Sequence, residues 1–179
     1  MISFWTSMPT SLAGEAILAL YVFALVFAAL SDLVSLRIPN WLTGALALGF
    51  PLAALIAGTG LSDHAVDWLS HIEAGAAVFA VGTMLFACHI LGGGDVKLLA
   101  AMALWCGLHL VVPLIFLTAV IGGVFGLIVL GLRQPLAQTA MLAVLRRAPL
   151  FLHSKTPIPY GIPIAIAGVM LAPHLPFLA

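Results

Sequence analysis

The chain has 179 residues, of which 64% are hydrophobic and only 7% charged, with six Lys and Arg balanced by six Asp and Glu and a mean hydropathy of +1.25. Soluble domains carry roughly 25% charged residues, so most of this chain's surface is not built to face water. The apolar runs are continuous and do not alternate, which argues against a β-barrel and for an all-α polytopic membrane helix bundle with no separate soluble domain.

The first ten residues contain no Lys or Arg, so no secretory signal peptide is expected there. A first span is expected from about Leu12 to Leu30, closing on Ser31-Asp32. A short polar connector follows, Asp32-Leu33-Val34-Ser35-Leu36-Arg37-Ile38-Pro39-Asn40. Pro39 disfavours helix at Ile38, and Asn40 is a good cap for a second span, about Trp41 to Ala57. The connector from Gly58 to His71 carries Asp63, His64 and Asp67 and no basic residue. A third span, about Ile72 to Leu91, leads into Gly92-Gly93-Gly94-Asp95-Val96-Lys97.

From Leu98 to Leu130 the only ionisable side chains are His109 and Cys106. As one straight helix that stretch would measure roughly 50 Å, too long for one crossing of a ~30 Å core. It is therefore divided near Gly107-Leu108-His109 into a fourth span from Asp95 and a fifth ending at Leu132. Between Arg133 and Thr156, Leu136, Ala140, Met141, Val144, Leu145 and Ala148 share one helical face. Residues 133–156 are read as a cytoplasmic segment lying in the interface, within a single domain spanning 1–179. Pro157, Pro159, Gly161 and Pro163 precede a final span.

Six spans put every Lys and Arg, namely Arg37, Lys97, Arg133, Arg146, Arg147 and Lys155, on one side. Glu15, Asp63, Asp67 and Glu73 fall on or near the other. The positive-inside rule makes the basic side cytoplasmic and leaves both chain ends outside it. Cys88 and Cys106 fall toward opposite faces, so a disulfide between them is not expected.

Two acids break the charge sorting: Asp32 ends the first span and Asp95 begins the fourth, both on the basic side. Asp95 has the alternative of a helix cap. Asp32, at a helix C-terminus, meets the unfavourable end of the dipole, which leaves a turn role or a partnership with Arg37. The functional alternative is a pair of carboxylates that share a proton, one activating water while the other protonates a scissile carbonyl. The glycines before Asp95 suit close backbone approach or a positive φ. No histidines stand at metal-ligand spacing on one helix, and neither a metal nor another cofactor is expected.

Gly92-Gly93-Gly94-Asp95 matches the GxGD signature of intramembrane aspartic proteases, and its continuation Val-Lys-Leu-Leu-Ala-Ala resembles the prepilin peptidase (type IV leader peptidase) version. Asp32 followed by Ile38-Pro39-Asn40 is similar to that family's first catalytic motif, and Pro159-Tyr160-Gly161-Ile162-Pro163 to its Pro-aromatic-Gly segment. The resemblance covers about residues 20 to 170. It implies catalysis by Asp32 and Asp95, with Gly92, Gly93, Gly94, Lys97, Pro39, Asn40, Pro159, Tyr160 and Gly161 shaping the site or binding substrate. Lys97 has the simpler alternative of a side chain reaching from a helix end to the interface.

The resemblance further implies a bacterial inner-membrane endopeptidase that removes the basic leader of prepilins and pseudopilins at the cytoplasmic face, with lipid but no nucleic acid as a further partner. The paired Cys-x-x-Cys zinc motifs of the larger members are absent, which resembles the small branch serving Flp (Tad) pili and puts N-methylation in doubt. Two other classes remain open: a proton- or cation-coupled transporter using paired aspartates, and a non-catalytic assembly subunit. A transporter favours acids near the midplane and internal repeats, neither of which the sequence offers.

Overall fold

The computed structural model describes residues 12–58, 66–134 and 156–175. Among them lie five α-helices and no strand: α1 (Leu12–Ser35), α2 (Asn40–Gly58), α3 (Trp68–Ala87), α4 (Gly93–Leu132) and α5 (Gly161–Leu171), which continues as a 3-10 turn over Ala172–His174. The expected all-α membrane bundle is the one observed. α1, α3 and α4 are long and apolar enough to cross a bilayer, while α2 and α5 are shorter apolar helices. Leu20, Phe23, Leu48, Phe116 and Leu127 point outward, as a lipid-facing surface requires.

At 40 residues, α4 is interrupted by Gly107, whose φ of 63° and ψ of −179° are not helical. That combination is essentially closed to residues with a Cβ. The break falls where the length argument puts it. The first limb, 93–106, runs antiparallel to α3: Gly82 meets Val96, Gly75 meets Leu104, and the His71 ring abuts Gly107. The second limb, 108–132, comes back along the bundle, because Gly122 meets Tyr160 and the Arg133 guanidinium donates to the Thr156 carbonyl at 2.8 Å.

α5 is antiparallel to α1, with Gly161 beside Asp32 and Gly168 beside Leu25. α2 runs alongside the first limb of α4, Lys97 Nζ donating to Asn40 Oδ1 at 2.9 Å and Trp105 Nε1 to the Leu46 carbonyl at 2.8 Å. The described segments therefore pass six times between two ends of the bundle. One end holds residues 32–40, 88–95 and 156–161; the other holds 67–71 and 107–109.

Between helices in lipid, association rests on close packing at small residues, since no water is excluded by burying one apolar side chain against another. Gly75, Gly82, Gly122 and Gly168 provide that approach, the last receiving Leu25 and Met102. The core they enclose includes Tyr21, Leu25, Leu98, Met102, Leu114 and Ile164.

Boundaries shift in three places. α1 continues past Leu30 to Ser35, which places Asp32 inside its last turns. α3 starts at Trp68, with Asp67 Oδ1 accepting from the Ser70 N–H at 3.3 Å, and ends at Ala87, so His89 lies beyond the helix. His109 belongs to the second limb of α4, not to a turn, because one glycine suffices for the break. Residues 135–155 of the expected interfacial segment lie outside the described residues.

Candidate active site

Asp32 is buried where α1 ends. The helix stops when Leu36 turns to a φ of 53° and its N–H closes on the Asp32 carbonyl at 2.9 Å. Ser31 Oγ donates to the Arg37 carbonyl at 2.8 Å and holds the turn. The carboxylate itself is directed across the bundle, Oδ2 accepting from the Gly161 N–H at 2.7 Å. Gly161 is the first residue of α5, so the acid sits at the favourable end of that helix's dipole. The unfavourable end of α1 is thus offset by a partner 129 residues away in sequence. Neither the turn role nor an Arg37 partnership describes what Asp32 does here.

A Cβ on Gly161 would stand 2.8 Å from Asp32 Oδ2 and 3.0 Å from Asp32 Cβ. The glycine of the Pro-aromatic-Gly segment is there for close approach.

Asp95 is the third residue of α4, behind an N-cap supplied by Gly92, so Asp95 is not itself the cap. Its carboxylate turns back toward Gly92, as the returning acid of a capping box does. A Cβ on Gly92 would lie 2.6 Å from Asp95 Oδ2. At Gly93 the neighbour is the Phe86 ring and at Gly94 it is Ile38, each 3.3 Å from a would-be Cβ. None of the three adopts a positive φ; among the described glycines only Gly107 does. Of the two explanations for the glycine run, close approach is the one that operates.

The two acids face one cavity of about 620 Å³, and they are close enough to interact electrostatically. Asn40, Gly92, Gly93, Gly94 and Tyr160 share its wall. Pro39, Pro159 and Lys97 do not. The Pro39 carbonyl accepts from the Leu42 and Thr43 N–H groups and starts α2, Pro159 is buried, and Lys97 holds Asn40 from the outer side.

The wall also contains residues that motif reading missed: Leu36, Arg37, Phe86, His89 and Ile158. Leu36 and Arg37 lie inside the first motif, and His89 precedes the glycine run, so nearness to the motifs was the available signal. Among the described residues no group of three or more His, Cys, Asp or Glu side chains gathers as a metal site would. What the arrangement offers chemically is two interacting carboxyl groups in a recess of about 620 Å³, large enough for water.

The type IV leader peptidase family matches residues 19–127, which include both acids and the glycine run. The chain is 28% identical over 156 residues to a prepilin leader peptidase/N-methyltransferase of Aeromonas salmonicida, covering 87% of this chain and 48% of that protein. It is 36% identical over 78 residues to a protein of the same name from Xanthomonas campestris pv. campestris, covering 44% of this chain and 21% of that one. The chain thus spans about half the length, or less, of these curated relatives. No solved structure matches it.

Proposed function

The chain belongs to the type IV leader peptidase family, and we propose that it is an aspartic endopeptidase that cuts the basic leader from prepilins, Flp-type pilins and pseudopilins among them, at the cytoplasmic face of the bacterial inner membrane. The observation that carries this reading is the convergence of Asp32 and Asp95, from two different helices, on one cavity at one end of the bundle. One carboxylate takes a proton from water as the water attacks the scissile carbonyl. The other, protonated, donates to the carbonyl oxygen, and the proton taken up then leaves with the new amine. Such a pair needs one shared proton and no further group. Acids midway along the helices would have suited a transporter better, and these stand at an end.

Charge supports the orientation. Arg37, Lys97 and Arg133 lie at the cavity end, while Glu15, Asp67 and Glu73 lie at the other, a distribution that by the positive-inside rule favours a cytoplasmic cavity end. The setting supports that substrate class, since a cavity at one end of the bundle stands where a peptide leaving a hydrophobic helix would emerge from the membrane. Residues 133–156 remain part of the proposal as an interfacial segment of the same single domain.

The test is maturation of a full-length prepilin by purified enzyme in lipid. Asp32→Asn and Asp95→Asn are each expected to abolish it, while Asp67→Asn, at the far end, processes normally. Cysteine labelling at Gln134 from the cytoplasmic side and at Asp67 from outside checks the orientation. Processing by either cavity variant would overturn the aspartyl mechanism.

A further inference from the structure

Two of the helices that reach the cavity, α1 and α3, end in an unusual way. α1 closes at Leu36 with a φ of 53°, and α3 closes at His89 with a φ of 59°. The His89 N–H bonds to the Phe86 carbonyl and the Ile90 N–H to the Leu85 carbonyl, each at 2.9 Å. These are the bonds of helix-end motifs whose left-handed position usually holds glycine, because a Cβ there crowds the backbone. Histidine tolerates the conformation better than most residues; a bulky leucine tolerates it poorly.

Among the described residues, Leu36 and His89 are the two non-glycine positions with positive φ, and both line the cavity that holds Asp32 and Asp95. Helix termination alone would be better served by glycine at either place. What glycine lacks is a side chain, and these side chains are on the cavity wall. Strain that coincides twice with one site points to use of the strained residues in that site. The turn after Leu36 is further secured, since Ser31 Oγ and Ser35 Oγ both lie within hydrogen-bond distance of the Arg37 carbonyl, at 2.8 and 3.3 Å.

We propose that Leu36 and His89 are specificity residues that contact the substrate peptide, Leu36 through apolar contact and His89 through a hydrogen bond to a peptide group. The inference rests on the reading of the cavity as a peptide-cleaving site. It separates two properties that usually move together: replacing either residue by glycine relieves the backbone and removes the contact.

The experiment compares Leu36→Gly, His89→Gly and His89→Asn with the unaltered enzyme, measuring thermal unfolding in detergent and kcat and KM for prepilin cleavage. The glycine variants are expected to unfold at or above the temperature of the unaltered enzyme, yet to lose about tenfold in kcat/KM, mostly through KM. His89→Asn tolerates the backbone and keeps a hydrogen-bonding group, and should recover most of the loss. Unchanged kcat/KM in the glycine variants overturns the proposal. So does a fall in unfolding temperature that parallels lost activity, since the residues would then be structural caps, or a loss confined to kcat, since no binding contact would have been removed. If the unaltered enzyme cleaves no prepilin, the site reading falls and takes this one with it. Cleavage that needs Asp32 but ignores positions 36 and 89 sinks this inference alone.

Discussion

The two ends of the bundle treat the same backbone problem differently. At the far end the chain must break a helix, and Gly107 takes the positive φ with the His71 ring fitted 3.1 Å from its would-be Cβ. Around it the polar groups are matched: His71 Nδ1 with the Leu104 carbonyl at 2.8 Å, and Ser70 Oγ with the Leu108 N–H at 3.0 Å. Phe50 stacks on His71 with ring centroids 4.7 Å apart and meets Trp68 edge-on at 5.7 Å, which fills the remaining space. At the cavity end, leucine and histidine occupy positions where glycine would rest more easily, and two acids share an open recess. One end is built for stability. The other keeps costly groups in place on the wall of a cavity, as the proposed substrate contact requires.

The largest expected break in that contrast comes from the acids. Asp32→Asn or Asp95→Asn should lower prepilin cleavage by about a thousandfold or more, with the double variant no worse than either single one, as for residues acting as one unit. Folding should survive, because the amide oxygen in Asp32→Asn can still accept from the Gly161 N–H. Additive losses, measured by single-turnover cleavage, would mean that the two acids work separately.

A smaller but still large loss is expected from Gly161→Ala. The added methyl meets Asp32 Oδ2 at 2.8 Å and Cβ at 3.0 Å, so the acid must move. Displacing a catalytic group by about 1 Å costs roughly a hundredfold, while the unfolding temperature should change little. Wild-type rates in this variant would show that the Gly161 contact does not position the acid.

The far end should respond in the opposite sense. Gly107→Ala places a Cβ in a backbone region closed to it and against the His71 ring, with a cost of about 2 kcal/mol or more in stability. Enzyme that remains folded should cleave within about twofold of normal, since the cavity lies at the other end of the bundle. Loss of turnover without loss of stability would erase the division between the two ends.

How far the sequence alone reached follows the same division. Apolar runs, their lengths and the sorting of six basic residues were enough for the bundle and for the break at Gly107, because bilayer thickness constrains helix length strongly. Both acids were found because ionisable groups stand out in an apolar chain. The partner of Asp32 was not legible: a backbone N–H 129 residues away leaves no mark on side-chain spacing. Leu36 and His89 escaped for a related reason, since a positive φ at a non-glycine residue cannot be read from residue identity. The glycine run was legible as important but not in its cause, because close approach and dihedral freedom select the same residue.

Lys97 carries the smallest expected effect and the sharpest test of where the site ends. It lies two residues beyond Asp95 in the family-like motif, yet on a helix that spacing turns it away from the cavity. Its Nζ is spent on Asn40 Oδ1 at 2.9 Å, in an exposed contact that joins α4 to the start of α2. Asn40 does line the cavity, so the lysine reaches the chemistry only through the asparagine. An exposed, charge-assisted hydrogen bond of this kind contributes about 1 kcal/mol or less. Lys97→Met should therefore keep cleavage within about fivefold of normal, and Asn40→Ala combined with it should add nothing beyond Asn40→Ala alone. If Lys97→Met instead removes activity as thoroughly as Asp95→Asn, the lysine acts on the acid pair directly, and the site extends past the cavity wall to the outer face of α4.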